Sequence, residues 1–523
     1  MSPMTGRLVR LAGICAALAV LSLMVLMVVR PDLNGYRIRP LPYLIVAWLA
    51  FGVASWLVRK VPVRIATGLI LAGGAAIQAV AVSAPPQNST DMYRYIWDGE
   101  VQAAGIDPYA YVPAARQLTF LRGHFLWHHL AQYCVSALQL QRNTMIVHGC
   151  TQINRPTVPT IYPPVAEAYF HAAHFLPYET TSTTSIQAAA AGLAMLTTVV
   201  LLFGLRRLGR NVRLAALWAW CPTVALEAGN NAHVDVLAVA LAAVAMVYLA
   251  TGTSTRRLVT GGLLLGLAIG TKVTPALVLP AVLRRQRWLL VAASTGSALA
   301  LVYVPHLLSV GGKVIGFIPG YLREEGYDSG NRFGLIGLLI TGKAATFAAV
   351  LLLALMAFAV FWYAKPDQPW RGAVVMTGSA LAITTPHYQW YALLLVMLVA
   401  LDGRPEWLAF AAGAYYVADA QMGRYTPPYG FIAAIAYGVP LVVVLAVSAI
   451  RFFRQQALPA PAVTAPAVAE PAVATAAVTT AALAGPTVNA APGAPQAVAP
   501  PTVAQPAFAQ APPPLPRRIP ASR

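Results

Sequence analysis

Apolar segments of about twenty residues recur along this chain, and they constrain its fold more than any other feature. They begin with residues 11–29, 41–57 and 65–83 and continue as far as 431–450. A helix that crosses a bilayer needs roughly 17–25 apolar residues, so each segment is long enough to span a membrane. The 58% share of hydrophobic residues also exceeds the roughly 45–50% of soluble domains. The sequence therefore predicts an all-α polytopic membrane protein.

The positive charge of the chain, a net +19, lies at the ends of apolar segments rather than in one patch. Such basic rims mark the cytoplasmic side of membrane proteins. We therefore expect both termini in the cytoplasm, and a lipid bilayer rather than nucleic acid as the partner of these charges. The rims are Arg7 and Arg10; Arg59, Lys60 and Arg64; Arg206, Arg207, Arg210 and Arg213; Arg256 and Arg257; Arg284, Arg285 and Arg287; and Arg451 and Arg454.

About twelve crossings are predicted, with one further segment that does not cross. Residues 258–283 lie between two basic loops and are interrupted by Gly270, Lys272 and Pro275. Two half-helices that form a re-entrant pair fit this pattern, although one ordinary span with a mis-sided loop is the alternative. The crossings after 65–83 are predicted at 186–205, 214–228, 233–250, 288–308, 344–363, 372–385, 388–401, 407–418 and 431–450.

The chain divides by composition into a membrane domain, 1–456, and a tail, 457–523. The membrane domain has a long first outer loop, 85–185, which we expect to be largely helical, and a second outer loop, 310–334. A loop of about a hundred residues is far longer than a simple connection and points to a functional role. The tail is rich in alanine and proline, which predicts a disordered cytoplasmic segment with polyproline character.

Two cysteines, Cys134 and Cys150, share the first outer loop. An oxidising exterior permits a disulfide between them, and two free thiols are the alternative. The pair His124 and His128, with His129 beside it, has a spacing that can chelate a metal, but no third ligand is adjacent in sequence. No metal site is predicted, and a requirement for a divalent metal is left open.

The stretch DMYRYIWDGE opens the first outer loop directly after the third apolar segment. Its helical spacing places Asp91, Arg94, Tyr95 and Asp98 along one face, with Trp97 beside them. This face offers a carboxylate that can act as a general base, a cation that can hold a phosphate, and aromatic rings that suit a sugar. The alternative is an exposed ladder of ion pairs, worth only roughly 0.3–0.5 kcal/mol per pair.

Other ionisable residues lie near predicted membrane ends, where they are costly and point to function. His233 and Asp235 lie at the outer end of the sixth crossing, and Lys272 lies at the break in the re-entrant pair. Arg332 and His387 lie at the outer mouths of later crossings. We expect Arg332 and His387 to converge with Asp91 on one anionic substrate. The alternative for Lys272 is a side chain that snorkels to water, and the alternative for His233 and Asp235 is a buried, hydrogen-bonded helix pair.

Five motifs in order, DMYRYIWDGEVQAAGIDPYAY, INRPTVPTIYPPVAE, NAHVDVLAVAL, GLAIGTKVTPALVLP and NRFGLIGL, resemble the bacterial polyprenyl-phosphate-dependent GT-C glycosyltransferases. They resemble in particular the branch that includes the polyprenol-phosphomannose mannosyltransferases. The resemblance covers about residues 10–451. It implies a GT-C-like fold, an active-site cavity at the outer membrane surface, and an acid in the first outer loop, matched here by Asp91, as general base.

The reaction implied is inverting transfer of a sugar, with mannose favoured over arabinose or glucose, from a polyprenyl phosphate to an extracytoplasmic glycolipid or cell-envelope glycan. The location implied is the bacterial plasma membrane, and no cofactor is expected. Members often place the acid after one crossing rather than three, so Asp91 and Asp98 both stay open as the base. The candidates for donor phosphate are Arg94, Lys272, Arg332 and His387, and those for sugar or acceptor contacts are Tyr95, Trp97, Asp98, Tyr162, His233 and Asp235.

A transporter or flippase of a lipid-linked or small anionic substrate is the opposing interpretation. In that case the re-entrant pair, with Lys272 at its break, would form a binding site near the middle of the membrane. The two classes differ in which residues must be essential. An enzyme requires Asp91, whereas a transporter requires Lys272 and Asp235 and tolerates change at Asp91.

Overall fold

Long apolar helices dominate the computed structural model, and the segments that precede the first outer loop are helical as predicted. The structure describes residues 3–34, 39–128, 144–146, 149–176, 183–252, 254–283, 287–422 and 426–457. The described residues belong to one unit, Met1–Leu458. All but the first residue of the predicted tail, 457–523, lie outside the described residues.

The first half of the chain carries three long helices, the helices of the first outer loop, and a fourth long helix. They are α1 (Pro3–Val29), α2 (Pro40–Leu57), α3 (Val63–Ala81), α4 (Asp91–Ala103), α5 (Pro164–His174) and α6 (Thr184–Arg207). The outer loop also holds a small antiparallel sheet of order β1-β3-β2, with β1 (Trp127–His128), β2 (Thr144–Ile146) and β3 (Gly149–Thr151).

The second half alternates long helices with short ones. They are α7 (Ala216–Ala219), a π-helix (Val224–Asn230), α8 (Asp235–Thr251), α9 (Thr255–Thr271), α10 (Leu279–Val282), α11 (Trp288–Val310), α12 (Ile318–Glu324) and α13 (Lys343–Tyr363). They continue as α14 (Pro369–Thr384), α15 (Leu393–Asp402), α16 (Ala409–Gly413), α17 (Tyr415–Gln421), α18 (Tyr429–Ala433), a second π-helix (Ala434–Gly438) and α19 (Val439–Ala457).

A multi-pass helical membrane fold is confirmed, but the predicted count of about twelve crossings is not. Within the described residues, seven helices are long and apolar enough to cross a membrane, or up to eight if one bent pair counts as a span. The difference arises where predicted crossings are short or broken. The crossing predicted at 388–401 is the ten-residue helix α15, and every one of its residues is buried. Burial inside protein and exposure to lipid select the same apolar side chains, so the sequence does not separate them.

The crossings predicted at 214–228 and 233–250 form a bent pair rather than two straight spans. The π-helix Val224–Asn230 and the helix α8 meet at 116°. Between them Ala232 adopts a positive φ of 49°, which is uncommon for a residue other than glycine. The bend directs the polar residues of this segment toward the start of α4.

The break predicted between Gly270 and Pro275 is present. Helix α9 ends at Thr271, and Lys272 is extended, with φ −152° and ψ 145°. Two glycines on α9 set the position of this helix end, because a Cβ at Gly266 would lie 2.5 Å from the Thr295 carbonyl oxygen and one at Gly262 would lie 1.9 Å from the Ser294 hydroxyl. Small residues at such a spacing let two helix backbones approach closely in a membrane.

Candidate active site

Asp91 is the first residue of α4, and its carboxylate is held by a side chain from elsewhere in the first outer loop. The Asn154 side-chain amide donates to Asp91 Oδ1 at 2.6 Å. The Asp91 side chain remains 19% exposed, so one carboxylate oxygen is oriented while the group stays accessible. This combination suits a general base, which must be within hydrogen-bond reach of the proton that it removes.

The segment that leads into α4 is fixed by the bent pair. The Gln87 backbone N–H donates to Asn230 Oδ1 at 3.1 Å, and the Asn88 backbone N–H donates to Asn231 Oδ1 at 3.2 Å. The Asn230 side-chain amide also donates to the carbonyl oxygens of Ala84 and Pro85. These contacts connect the two adjacent asparagines of the bent pair to the position of Asp91.

Lys272 brings a cation to the same region from the end of α9. Its Nζ lies 3.3 Å from Asp235 Oδ2, and it lies 5.4 Å from the ring centre of Tyr162 and 5.9 Å from that of Tyr391. An ammonium group over aromatic faces is stabilised by the ring quadrupoles. Lys272 is therefore oriented by one carboxylate and two rings at the break in its helix.

A cavity of about 850 Å³ is lined by both Asp91 and Lys272. Its ionisable lining residues include the carboxylate of Asp91 and the cations Arg94, Arg155 and Lys272. Aromatic rings that also line it are Tyr93, Tyr162, Phe317, Tyr321, Tyr327, Tyr388, Trp390 and Tyr391. A carboxylate, several cations and many rings in one cavity suit a ligand with hydroxyl groups and an anionic group.

A second, more apolar cavity of about 420 Å³ lies beside the first. The two share lining residues, namely Val273, Thr274, Tyr327 and Tyr391. Its other lining residues come mainly from α13 and α14 and from the chain after Lys272: Ala276, Leu277, Pro280, Leu353, Ala357, Met376, Thr377, Ala380, Leu381, Thr384 and Pro386. Its apolar lining suits an extended hydrocarbon chain.

Asp98, the alternative base, lies in a buried ion pair and is not among the residues that line the larger cavity. The Arg94 Nε–H donates to both Asp98 oxygens, at 2.8 and 2.9 Å. Glu167 lies close by and accepts from the Thr160 hydroxyl at 2.7 Å. Burial raises the pKa of Glu167 well above its usual value, and the Asp98 carboxylate raises it further. We infer that Glu167 holds a proton while Asp98 pairs with Arg94.

Two predicted sugar contacts lie in the interior instead of at the cavity. Tyr95 is fully buried and stacks on Phe170, with ring centres 4.3 Å apart. Trp97 is also buried and packs edge-on against Trp127 at 5.2 Å. Of the predicted aromatic contacts, only Tyr162 lines the cavity.

The sequence predicts that Arg332 and His387 converge with Asp91, whereas in the structure they meet around a carboxylate and neither lines the cavity. Arg332 Nη1 donates to Glu325 Oε2 at 2.8 Å and lies in contact with His387 Nδ1. The Tyr388 hydroxyl donates to the other Glu325 oxygen at 2.9 Å. Arg332 is 1% exposed, and neither it nor His387 is among the cavity-lining residues. Their role as phosphate ligands stays a prediction that these contacts do not support.

The cysteine and metal predictions fall partly outside the described residues. Cys150 is buried in β3 and takes part in a disulfide. Cys134 and His129 lie outside the described residues, so the predicted pairing of Cys134 with Cys150 stays a prediction. Within the described part of the chain, no group of three or more His, Cys, Asp or Glu side chains has an arrangement that would hold a metal ion.

Two residues near the site were not singled out by the sequence. Asn154 orients Asp91, and Glu325 compensates Arg332. Asn154 belongs to the INRP motif, and Glu325 is one of two adjacent acids in the second outer loop. Both are polar residues in outer loops, like many others in this chain. Nothing in the neighbouring sequence indicates which distant residue each of them contacts.

Comparison with known protein families finds a match to one glycosyltransferase family. Residues 160–383, somewhat less than half of the chain, match the model of glycosyltransferase family 87, which is a GT-C-type family. No curated protein and no solved structure matches the chain. The matched region contains Tyr162, His233, Asp235, Lys272 and Arg332, and it begins after Asp91. The match supports a membrane glycosyltransferase and does not distinguish the mannosyltransferase branch.

Proposed function

We propose that this protein transfers a sugar, mannose in our assignment, from a polyprenyl phosphate to a glycolipid or glycan at the outer face of a bacterial plasma membrane. The observation that carries the proposal is the Asp91 carboxylate. It is oriented by Asn154 at 2.6 Å and opens into an 850 Å³ cavity that Lys272 also lines. The match to a glycosyltransferase family supports the reaction class.

In the proposed reaction, Asp91 takes the proton of an acceptor hydroxyl. The hydroxyl oxygen forms a bond to the anomeric carbon, the bond from that carbon to the phosphate oxygen breaks, and its electron pair leaves with the phosphate. Attack from the face opposite the phosphate inverts the configuration. A positioned general base of this kind contributes about 10²- to 10⁴-fold to the rate.

We assign the donor phosphate to Lys272, with Arg155 and Arg94 at the same cavity. Arg155 is accessible although it pairs with Glu324 at 2.7 Å, whereas Arg94 is buried with Asp98. A preplaced cation stabilises the charge that develops on the leaving phosphate without reorganisation during the reaction. Lys272 is the best placed, because the apolar cavity begins at the next residue, Val273.

A lipid-linked donor is supported by the apolar cavity. A sugar and phosphate in the larger cavity would place the attached hydrocarbon chain at Val273 and Tyr391, which line both cavities. About 0.8 kcal/mol is gained per buried CH₂ group. A polyprenyl chain would therefore add substantially to donor binding, whereas a nucleotide sugar carries no such chain.

The test is transfer by the purified full-length protein from labelled polyprenyl-phosphate mannose, glucose and arabinose to bacterial membrane acceptors. We expect Asp91→Asn to lose about 10²- to 10⁴-fold in rate. Asp107→Asn is the matched control, since Asp107 pairs with His306 at 2.9 Å and does not line the cavity. Full transfer by Asp91→Asn would overturn the base assignment.

The same experiment addresses the transporter or flippase. Absence of transfer by the wild type from all three donors would favour that class. Uptake or flipping of a lipid-linked sugar by vesicles would then depend on the Lys272–Asp235 pair and tolerate Asp91→Asn. Because the two classes need different residues, the variants separate them.

A further inference from the structure

His233 lies directly behind Asp91 in an unusual environment. The ring is fully buried and stacks on Trp390, with ring centres 3.8 Å apart and planes inclined by 25°. Among the described residues, neither ring nitrogen has a hydrogen-bond partner. Buried polar groups are almost always hydrogen-bonded, so an exception calls for a functional explanation.

A carboxylate lies beyond each ring nitrogen. His233 Nδ1 is 3.8 Å from Asp91 Oδ2, and Nε2 is 3.6 Å from Glu227 Oε2. These separations exceed hydrogen-bond length, and a small displacement of either carboxylate would close them. The imidazole therefore bridges an accessible carboxylate and a fully buried one.

Glu227 is placed to accept a proton from an ionised state. It accepts from the Tyr415 hydroxyl at 2.8 Å and from the Asn231 side-chain amide at 3.1 Å. It lies on the π-helix, and π-helical turns are frequent at functional sites. The two donors stabilise an ionised carboxylate in a place where burial opposes ionisation.

We infer that His233 and Glu227 relay the proton that Asp91 removes from the acceptor hydroxyl, an inference that rests on the proposed function. Protonated Asp91 donates its proton to Nδ1 of His233 while Nε2–H passes its own proton to Glu227. The Asp91 carboxylate is thereby ionised again, the imidazole stays neutral as the other tautomer, and Glu227 becomes neutral. After the products leave, the proton returns along the same path to water in the cavity.

The charges around the relay favour this direction. Lys272, whose Nζ lies 3.3 Å from Asp235 Oδ2, acts electrostatically on His233. The ammonium of Lys272 disfavours a lasting imidazolium, so His233 passes the proton on rather than keeping it. The relay also removes the proton from the region where the leaving phosphate and the new glycosidic oxygen would compete for it.

Chemical rescue tests the relay. We expect His233→Ala to lower kcat by at least about tenfold with little change in KM, a smaller loss than removal of the general base itself. Added imidazole can fill the space against Trp390 and carry a proton between its two nitrogens, so it should restore kcat. The compound 1-methylimidazole fills the same space but has no N–H, and it should not restore kcat.

Equal recovery with both compounds, recovery with neither, or a His233→Ala variant with wild-type kcat would each overturn the relay. A second variant, Glu227→Gln, should lower kcat in the same way and should not respond to imidazole. His306→Ala is the control, because it removes another histidine–carboxylate contact, that with Asp107, away from the cavity. Thermal unfolding of each variant reports whether the fold is kept.

The outcome is separable from failure of the proposed function. Transfer by the wild type and its loss in Asp91→Asn test the function alone. If both hold and His233→Ala turns over at the wild-type rate, only the relay is wrong. If the wild type transfers no sugar from the mannose, glucose or arabinose donor, Asp91 removes no proton from an acceptor hydroxyl. Both proposals then fail.

Discussion

The Asp98→Asn variant tests whether the buried acid of α4 stabilises the fold or takes part in the reaction. The Asp98 carboxylate accepts two hydrogen bonds from the Arg94 Nε–H, and the two side chains are 3% and 5% exposed, respectively. Asp98→Asn removes the charge that compensates this guanidinium and keeps nearly the same side-chain volume. We therefore expect a loss of stability with no specific loss of chemistry.

The expected loss in the free energy of unfolding follows from the buried Arg94–Asp98 ion pair. Removing one partner of a buried ion pair costs roughly 3–5 kcal/mol in the free energy of unfolding. Glu167 also interacts with Arg94 and can ionise in place of Asp98, so the single variant should lose about 3 kcal/mol. The double variant Asp98→Asn/Glu167→Gln leaves Arg94 without either carboxylate and should lose about 5 kcal/mol.

Denaturation of purified protein in detergent, followed by circular dichroism, measures these differences. Asp91→Asn is the comparison: it exchanges the charge-assisted hydrogen bond from Asn154 for a neutral one at a side chain that is 19% exposed, so it should lose only about 1 kcal/mol. Transfer activity is measured on the same preparations below their unfolding temperatures. We expect Asp98→Asn to keep transfer and Asp91→Asn to lose it.

The opposite pattern would refute the reasoning. If Asp98→Asn unfolds like the wild type and transfers no sugar, Asp98 is the base and the ion pair with Arg94 is a feature of the resting state only. If both variants keep their stability and their transfer, neither carboxylate performs the proposed chemistry.

Three further predictions concern the site and its surroundings. Asn154→Ala removes a charge-assisted hydrogen bond to Asp91, worth about 1.5–3 kcal/mol, and steady-state kinetics should show kcat reduced at least tenfold with KM nearly unchanged; an unchanged kcat would contradict the orienting role. The pKa of Glu167 is raised by burial, so the stability of the wild type relative to Glu167→Gln should be greatest at low pH and should fall as pH rises above the ordinary value of 4.5, because the unfolded chain ionises there while the folded protein keeps the proton; a constant difference would argue against a protonated Glu167. Ala380→Trp fills part of the apolar cavity and, at ~0.8 kcal/mol per displaced CH₂ group, should raise KM for a long polyprenyl donor but not for a two-isoprene analogue; equal effects on both donors would place the chain elsewhere.

Local patterns in the sequence predict the helices well. Crossings expected at 186–205, 288–308 and 344–363 correspond to α6, α11 and α13 within about two residues at each end. The helix at DMYRYIWDGE is also confirmed. These features depend on the hydropathy and spacing of neighbouring residues, which the sequence displays directly.

The sequence predicts less well which residues come together at the site. Asp91, Lys272 and Tyr162 line one cavity, and each lies at the end of a helix or in an outer loop, where the sequence marks it as a candidate. Arg332 and His387 have the same local signature. Only the three-dimensional contacts show that both pair with Glu325 instead. A helical face likewise does not reveal whether it meets a cavity or the interior, which is why Tyr95 was grouped with the sugar contacts.

The partners of Asp91 come from widely separated parts of the chain, and this affects biosynthesis. Asn154 follows 63 residues later, and His233 and Lys272 are synthesised later still. A ribosome that has completed α4 has produced the carboxylate but none of these partners. Under the proposed function, we expect the emerging chain to have no transfer activity until its second half has been inserted in the bilayer, so that a product truncated before Lys272 should transfer no sugar.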